Sequence, residues 1–438
     1  VSVADAVAPG QRVAVHVRAL ASNGAGVADL PDGRVVFVHR TAPGDDVELT
    51  VDRVHRRWAT GTLLKVESSG SEREAPPCPL YGSCGGCTLQ HVAYATQLTW
   101  KGRFVADALA RIGGLDLPVP EVQGSPLAWG YRNRVTFTLR RLRGGRVVAG
   151  FHALERPARV VEVKDECLLA EAPLLHAWSG LRGAWGPAAG RLPAPGDLRI
   201  TLRSVEEGVV VLVRGGAPGW EPGDLPELIP GCRALWHQPD GAAPLLVAGL
   251  PVEEVVGAER VPLEGRAFVQ VNRGAADELG RHVLDRALAG ATGMGRAVDA
   301  YCGVGVHGRA LARAGWQVRG IESDAEACAA ARHGAPAGFE VVEGRVEERI
   351  RACLPAELVI VNPPRTGLDE RVPAMLAALP APRLIYVSCD PATLARDAAR
   401  LADAYALVGV RCFDLFPQTA HVETVALFTR RGDPAEES

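Results

Sequence analysis

Two side chains able to do covalent chemistry sit at the ends of strand-like runs in the last third of the chain. Cys389 follows Leu384-Ile-Tyr-Val387, and Glu423 immediately precedes Thr424-Val-Ala-Leu-Phe428. A thiolate adds to electron-poor carbon and a carboxylate removes protons, so together they can split one hard step into easier ones. Taken alone, Cys389 reads equally well as a buried apolar filler. A second group is Cys78-Pro-Leu-Tyr-Gly-Ser-Cys84-Gly-Gly-Cys87. Three crowded thiols need a distant fourth ligand. Zinc more often uses two close pairs. Glycines that bring backbone N–H groups to sulfur suit an iron–sulfur cluster better, with zinc and bare thiols as the alternatives. A disulfide scaffold belongs to small secreted chains, and this chain has 438 residues.

The elements that must position Cys389 and Glu423 are legible around them. From about Gly265 strand-like runs alternate with helical segments: Arg296–Asp299, Gln317–Ile321, Glu340–Val342, Leu358–Val361 and Leu384–Val387. The alternation predicts a mostly parallel, doubly wound, Rossmann-like α/β domain over 263–438. The run Thr424–Phe428 follows through a short connection, which is compatible with an antiparallel last strand.

Asp299-Ala-Tyr-Cys-Gly-Val-Gly305 ends one strand and opens a helix. Glycines there let backbone approach a ligand, and the helix start offers free N–H groups. Glu322 ends the next strand, about twenty positions on, where a carboxylate accepts from a ribose diol. The pair fits an adenosine-containing ligand, NAD and S-adenosylmethionine alike. Val359-Ile-Val-Asn-Pro-Pro-Arg365 then resembles the (Asp/Asn)-Pro-Pro motif of nucleobase methyltransferases, which lies beside both methyl donor and base.

The thiol and the carboxylate meet a specific need in that setting. Uracil C5 is too weak a nucleophile to take a methyl group unaided. Thiolate addition at C6 makes an enolate, C5 attacks the sulfonium methyl, and a base then removes the C5 proton so that the thiolate can leave. Cys389 fits the nucleophile and Glu423 the base.

Residues 1–69 read as an OB-like β-barrel. Alternating runs Arg12–Arg18, Arg34–His39 and Asp46–Val51 are separated by the turn pairs Asn23-Gly24, Asp32-Gly33 and Pro43-Gly44. Asn23-Gly-Ala-Gly-Val27, Val36-Phe-Val38 and Ala42-Pro-Gly44 resemble the TRAM domain, an RNA-binding module. Residues 70–262 form an α+β middle region with the Cys cluster, a helix from about Tyr94 to Ile112, and hairpins around Arg143-Gly-Gly145 and Glu206-Glu-Gly208. The glycines and prolines between Gly180 and Gly196 mark a loop.

Composition sets limits but names no partner. With 47% hydrophobic and 23% charged residues the chain is globular, and 438 residues call for two or three domains. No apolar run is long enough to span a bilayer and no signal sequence opens the chain, so a soluble, cytoplasmic protein without a membrane partner is expected. A monomer is expected, though no residue pattern sets the oligomeric state. A net charge of −3 leaves nucleic-acid binding to local patches. Two could supply one: Arg53-Val-His-Arg-Arg-Trp58, and the run Arg132, Arg134, Arg140, Arg141, Arg143, Arg146.

Across nearly its whole length the chain resembles the RNA 5-methyluridine methyltransferase family, whose members act on tRNA and 23S rRNA. The matching motifs are Phe268-Val-Gln-Val-Asn272, Asp299-Ala-Tyr-Cys-Gly303, Asn362-Pro-Pro-Arg-Thr-Gly367, Ser388-Cys389 with Pro391-Ala-Thr-Leu-Ala-Arg-Asp397, and Phe416-Pro-Gln-Thr-Ala-His-Val-Glu423. The resemblance implies S-adenosylmethionine as donor, with Gln270, Tyr301, Glu322 and Asn362 lining the donor and base site. It implies Cys389 as nucleophile and Glu423 as base. It also makes Cys84-Gly-Gly-Cys87 with Leu89-Gln-His91 a [4Fe–4S] motif with Cys78, and Cys167 the fourth ligand, leaving His91 a structural role. The implied partner is structured RNA. A TRAM-like barrel plus a cluster favours 23S rRNA, with the T-loop uridine of tRNA second.

Two positions depart from the family pattern. Asn362 stands where Asp is common, and an amide can accept from uracil N3–H while donating to O4. Asp390 stands where Asn is common, and a carboxylate beside Cys389 raises the thiol pKa unless something such as Arg365 offsets it. Rival readings are weaker. A base N-methyltransferase stacks an aromatic ring after the second proline, where this chain has Arg365. A non-catalytic RNA-binding assembly factor needs neither Cys389 nor Glu423, and a small-molecule C-methyltransferase needs no barrel.

Overall fold

The computed structural model describes residues 6–257, 259–263, 269–290 and 295–432. Phe268 of the Phe268–Asn272 motif lies outside them. Strands β1 (Arg12–Leu20), β2 (Gly26–Asp29), β3 (Val35–Val38), β4 (Asp46–Val54) and β5 (Trp58–Ser68) close into the expected barrel, ordered β1-β2-β3-β5-β4. Alternate residues of β1 point inward, so Val13, Val15 and Val17 join Val36, Val38 and Leu49 in one core.

Helix α1 (Tyr94–Arg111) and the two-residue strand β6 (Val122–Gln123) come next. A seven-stranded sheet follows, built from β7 (Arg134–Arg141), β8 (Val147–His152), β9 (Val160–Glu162), β10 (Leu198–Val205), β11 (Gly208–Arg214), β12 (Cys232–Gln238) and β13 (Leu245–Gly249). Helix α2 (Ala172–Ala184) covers one face, where Trp178 is fully buried with its ring 4.2 Å from that of Phe137. The hairpins β7–β8 and β10–β11 are the two expected from the glycine turns. The hairpin β14 (Val252–Val256) and β15 (Glu259–Leu263) leads out of this region.

The C-terminal part is the expected doubly wound α/β fold. Its helices are α3 (Arg273–Leu288), α4 (Val306–Arg313), α5 (Ala325–Arg332), α6 (Val346–Cys353), α7 (Arg371–Ala378) and α8 (Pro391–Leu401). Its strands are β16 (Arg296–Ala300), β17 (Gln317–Glu322), β18 (Phe339–Glu343), β19 (Leu358–Val361), β20 (Arg383–Ser388), β21 (Tyr405–Phe413) and β22 (Glu423–Arg430). The sheet order is β18-β17-β16-β19-β20-β22-β21-β6, with β16 to β20 parallel and β22 antiparallel to both its neighbours. Two strands escape the sequence pattern. β21 mixes buried and half-exposed positions without a clean period. β6 is too short for any pattern and pairs with residues almost 300 positions away, Cys412 and Phe413.

Helix α1 and β6 therefore lie against the C-terminal sheet rather than the middle one. Val105 and Leu109 of α1 pack on Ala395, Cys412 and Val422. Lys101 of α1 makes a fully buried ion pair with Asp414, Nζ to Oδ1 2.5 Å.

Candidate active site

Parallel strands deliver their carboxyl ends to one edge of the sheet, and the loops leaving that edge surround a cavity of about 1590 Å³. Gln270, Tyr301, Glu322, Asn362, Cys389 and Glu423 all line it. Pockets for one drug-sized ligand measure roughly 300–1,000 Å³, so there is room here for a donor and a base together.

At the β16 and β17 ends the backbone is drawn in around Glu322. Its Oε1 accepts from the N–H groups of Ser323 (2.7 Å) and Asp324 (2.8 Å), and Oε2 accepts from Gly303 N–H (3.0 Å). One lone-pair direction on Oε2 is left for a ligand. Tyr301 holds a left-handed φ of 61°, a conformation costly for a side chain of that size and typical of functional turns. Burial, with Glu347 nearby, pushes its phenol up to about 12. Gln270 is fixed by its neighbour Asn133, whose Nδ2 donates to the Gln270 carbonyl (3.3 Å) and whose N–H donates to the Val271 carbonyl (2.9 Å).

Cys389 stands between the end of β20 and the start of α8, half-buried, and Glu423 opens β22, buried. Ser388 pairs with Thr424 across the antiparallel ladder, so the next step of the register sets Cys389 opposite Glu423. Burial raises the Cys389 thiol and the Glu423 carboxylate raises it further, while Arg365 pulls it down and Asp390 pushes it up. Burial lifts Glu423 to about 8, again opposed by Arg365. Arg365 is thus the cation that acts on both groups. Asp390 also caps α8, its Oδ1 accepting from the Ala392 (2.9 Å) and Thr393 (3.0 Å) N–H groups. That capping turns one carboxylate oxygen toward the helix dipole and accounts for an acid next to the thiol.

Sequence reasoning missed the groups that hold the Asn362–Asp369 loop. Asp397 is fully buried, and its Oδ2 accepts from Leu368 N–H (2.8 Å) and from the Tyr386 hydroxyl (2.8 Å). Its Oδ1 accepts from Arg396 Nε (3.0 Å), and Arg396 Nη2 reaches the Thr366 carbonyl (2.8 Å). Gly367 turns the loop at φ 76°, where a Cβ would come within 2.5 Å of Asp397 Oδ2. Phe416 and His421 also face the cavity. Gly367, Arg396, Asp397, Phe416 and His421 stand in the quoted motifs, but linear spacing alone assigns them no role.

Cys78, Cys84, Cys87 and Cys167 line one small pocket with Tyr81, Phe151, Leu169 and Arg132. Among the described residues no group of three or more His, Cys, Asp or Glu side chains is arranged to hold a metal ion. Gly86 N–H points at Cys84 Sγ (3.4 Å), and Arg132 Nε is buried without a hydrogen-bond partner among the described residues. Burial pushes the Cys87 thiol up to about 12, against the pull of Gln90 and Arg132. His91 is buried outside this pocket, with Nδ1 2.6 Å from the Tyr81 hydroxyl.

The two basic runs part ways. Arg53, His55, Arg56, Arg57 and Trp58 are exposed at the β4–β5 hairpin, with the His55 and Trp58 rings stacked at 3.8 Å. The second run does not form one face, contrary to expectation. Arg132 turns to the thiol pocket and Arg134 lines the large cavity. Arg141 is spent on five loop carbonyls, those of Ala188, Ala189, Leu192, Pro193 and Gly196. Arg140 pairs with Asp197, which leaves Arg143 and Arg146 as the exposed remainder not engaged in this way. Among the described residues no helix is long and apolar enough to cross a membrane.

Comparison with known proteins agrees with this layout. A family model for tRNA (uracil-5-)-methyltransferase matches residues 349–431, and the TRAM domain model matches residues 6–64. An uncharacterized RNA methyltransferase of Thermosynechococcus vestitus is 36% identical over 96% of this chain and 98% of its own. The 23S rRNA (uracil(1939)-C(5))-methyltransferase of Thiobacillus denitrificans is 32% identical over 95% of this chain and 99% of its own. The crystal structure of Pyrococcus abyssi tRNA (uracil-54, C5)-methyltransferase with S-adenosyl-L-homocysteine superposes with a TM-score of 0.72, 26% identity, and coverage of 96% of this chain and 100% of that one. With relatives this similar along almost its full length, the chain belongs to the family of RNA uracil-C5 methyltransferases.

Proposed function

We propose that this protein transfers a methyl group from S-adenosylmethionine to C5 of a uridine in structured RNA, with 23S rRNA as the target class. The observation that carries this reading is the Cys389–Glu423 pair, brought to one cavity with Glu322 and Asn362. The donor, when bound, supplies an electrophilic sulfonium methyl. Cys389 Sγ adds to uracil C6 and makes C5 nucleophilic. After C5 takes the methyl group, Glu423 removes the C5 proton, the C5–C6 double bond re-forms and the thiolate leaves. Arg365 favours the ionised forms that both residues need, Asn362 reads the uracil edge, and Gln270 and Tyr301 line the donor and base site. The T-loop uridine of tRNA is the second reading, favoured by the family model and by the archaeal tRNA enzyme. Mass mapping of 5-methyluridine in rRNA and tRNA from cells with and without the protein separates the two. An unchanged 5-methyluridine inventory in both RNAs would overturn the function.

We also infer that Cys78, Cys84, Cys87 and Cys167 hold a [4Fe–4S] cluster. Four thiols around one pocket, a backbone N–H directed at sulfur and a buried guanidinium without a full set of partners suit a net-anionic thiolate-bound group. With all four positions filled by protein, the group is structural or orients RNA. The exposed His55–Trp58 stack and its flanking arginines suit an RNA strand.

A further inference from the structure

Glu423, the first residue of β22, directly follows a loop, Asp414–Val422, that joins β21 to β22. The loop is not held by its own hydrogen bonds alone. Gln418 adopts a left-handed φ of 68°, a region where a residue with a side chain persists only if its surroundings impose it. Those surroundings come from residues 88–131, hundreds of positions earlier. The carbonyls of Phe416, Pro417 and Gln418, three in succession, are all taken: by Lys101 Nζ (3.2 Å), by the Tyr131 hydroxyl (3.0 Å), and by the N–H groups of Thr88 and Leu89 (3.0 Å each). Ala420 N–H donates to Thr88 Oγ1 (3.2 Å).

Gln97 lies at the centre of this clasp. It sits one turn before Lys101 on α1, so both project from the same face, and both are buried. Gln97 Oε1 accepts from Gln418 N–H (3.1 Å), and Nε2 donates to Gln418 Oε1 (3.0 Å), Leu89 O (3.0 Å) and Val92 O (2.8 Å). One amide thus joins the strained residue of the loop to the segment just beyond Cys87. The barrel closes over the same place: a Cβ on Gly24 would stand 2.9 Å from Thr88 Cβ and 3.4 Å from Ala420 Cβ.

We propose that Gln97 is a positioning residue for the base: it fixes Gln418 in its left-handed conformation and thereby holds the loop that leads into Glu423, whose strand register sets it near Cys389. The inference rests on the reading of Glu423 as base and adds the device that aims it. A base displaced by about 1 Å slows proton removal by on the order of 10²-fold, while nucleophile and donor site stay intact. Addition and methyl transfer then proceed and the last step lags.

The test uses the full-length protein with Gln97→Met, which keeps length and volume but not the hydrogen bonds, and Tyr131→Phe, which removes one hydroxyl from Pro417 O. For Gln97→Met we expect kcat to fall by about 10²-fold with kcat/KM for RNA little changed, and methylated RNA to accumulate covalently on the enzyme in denaturing gels. Tyr131→Phe gives a smaller change in the same direction and serves if Gln97→Met does not fold. A structural role alone lowers melting temperature and active fraction and traps no RNA; that result in both variants, beside a Glu423→Gln control that does trap RNA, overturns the role of Gln97. A Glu423→Gln control that traps nothing overturns the reading of Glu423 itself, and the role of Gln97 with it.

Discussion

Cys389 and Glu423 each lie one position beyond Ser388 and Thr424, the last pair of the antiparallel ladder β20–β22, and both line one cavity. Residues directly opposite in such a ladder have Cβ atoms about 4.5–5.5 Å apart, and continuing the register by one step brings these two together. A nucleophile that adds to C6 and a base that works at C5 of one planar ring need about that separation. Had the last strand run parallel, Glu423 would have begun at the far edge of the sheet from Cys389.

Separate roles predict separate phenotypes. Cys389→Ala abolishes both methylation and any covalent RNA adduct. Glu423→Gln still adds and methylates but stalls, leaving methylated RNA attached to the protein. Denaturing electrophoresis with labelled RNA reads both. Normal turnover by Glu423→Gln would remove that residue from the mechanism, and a fully active Cys389→Ala enzyme would overturn covalent catalysis.

Burial lifts Glu423 to about 8 and raises Cys389 as well, and both must be ionised to act. Hence kcat rises with pH through about 8, and Arg365→Met moves that limb to higher pH because the cation opposing both shifts is gone. Stability moves the other way. The folded carboxyl stays protonated above its ordinary value of 4.5, so its contribution is full below that pH and is lost as pH rises through about 8. Melting curves of Glu423→Gln should lose that slope. A flat rate profile across neutral pH, unmoved by Arg365→Met, would contradict the assignment.

Glu322 has one acceptor site free for a ribose hydroxyl while its other three hold the Gly303 and Ser323–Asp324 backbone. Glu322→Ala therefore weakens S-adenosylmethionine binding by about 1.5–3 kcal/mol, the range for hydrogen bonds to a charged group. Titration calorimetry showing unchanged affinity would place the donor elsewhere.

Protein purified without oxygen should be brown and contain iron with acid-labile sulfide, and Cys87→Ser should lose most of both. Zinc without sulfide in such a sample would replace the cluster by a metal ion.

At the barrel tip, Trp58 is 40% exposed and stacked on His55, so Trp58→Ala should leave stability nearly unchanged. RNA binding should weaken by about 1–3 kcal/mol if a base stacks there. Arg56→Ala and Arg57→Ala should each flatten the salt dependence of binding by about one unit of slope. Point changes are the better probe than deleting residues 1–69, because Leu20 and Ala42 of the barrel share a core cluster with Leu89 and with Ala420 of the Asp414–Val422 loop. Unaltered RNA affinity in all three variants would give this face another partner.

The sequence by itself determined the fold class and the chemistry on offer. Periodicity is local, so the barrel, the two hairpins, α1 and five parallel strands were legible; strand ends, motifs and the family resemblance together named Cys389, Glu423, Glu322, Asn362 and the four thiols. The tertiary structure decided what stands beside what. Whether the arginines of β7 and the segment before it face solvent or interior depends on which carbonyls and cavities lie opposite, and Arg132, Arg134 and Arg141 turn inward for that reason. β6, β21 and the clasp of Gln97 and Lys101 on the Asp414–Val422 loop join segments about 300 residues apart. Such pairings leave no period in the chain, because their free energy comes from burial and hydrogen bonds that exist only after the sheet has formed.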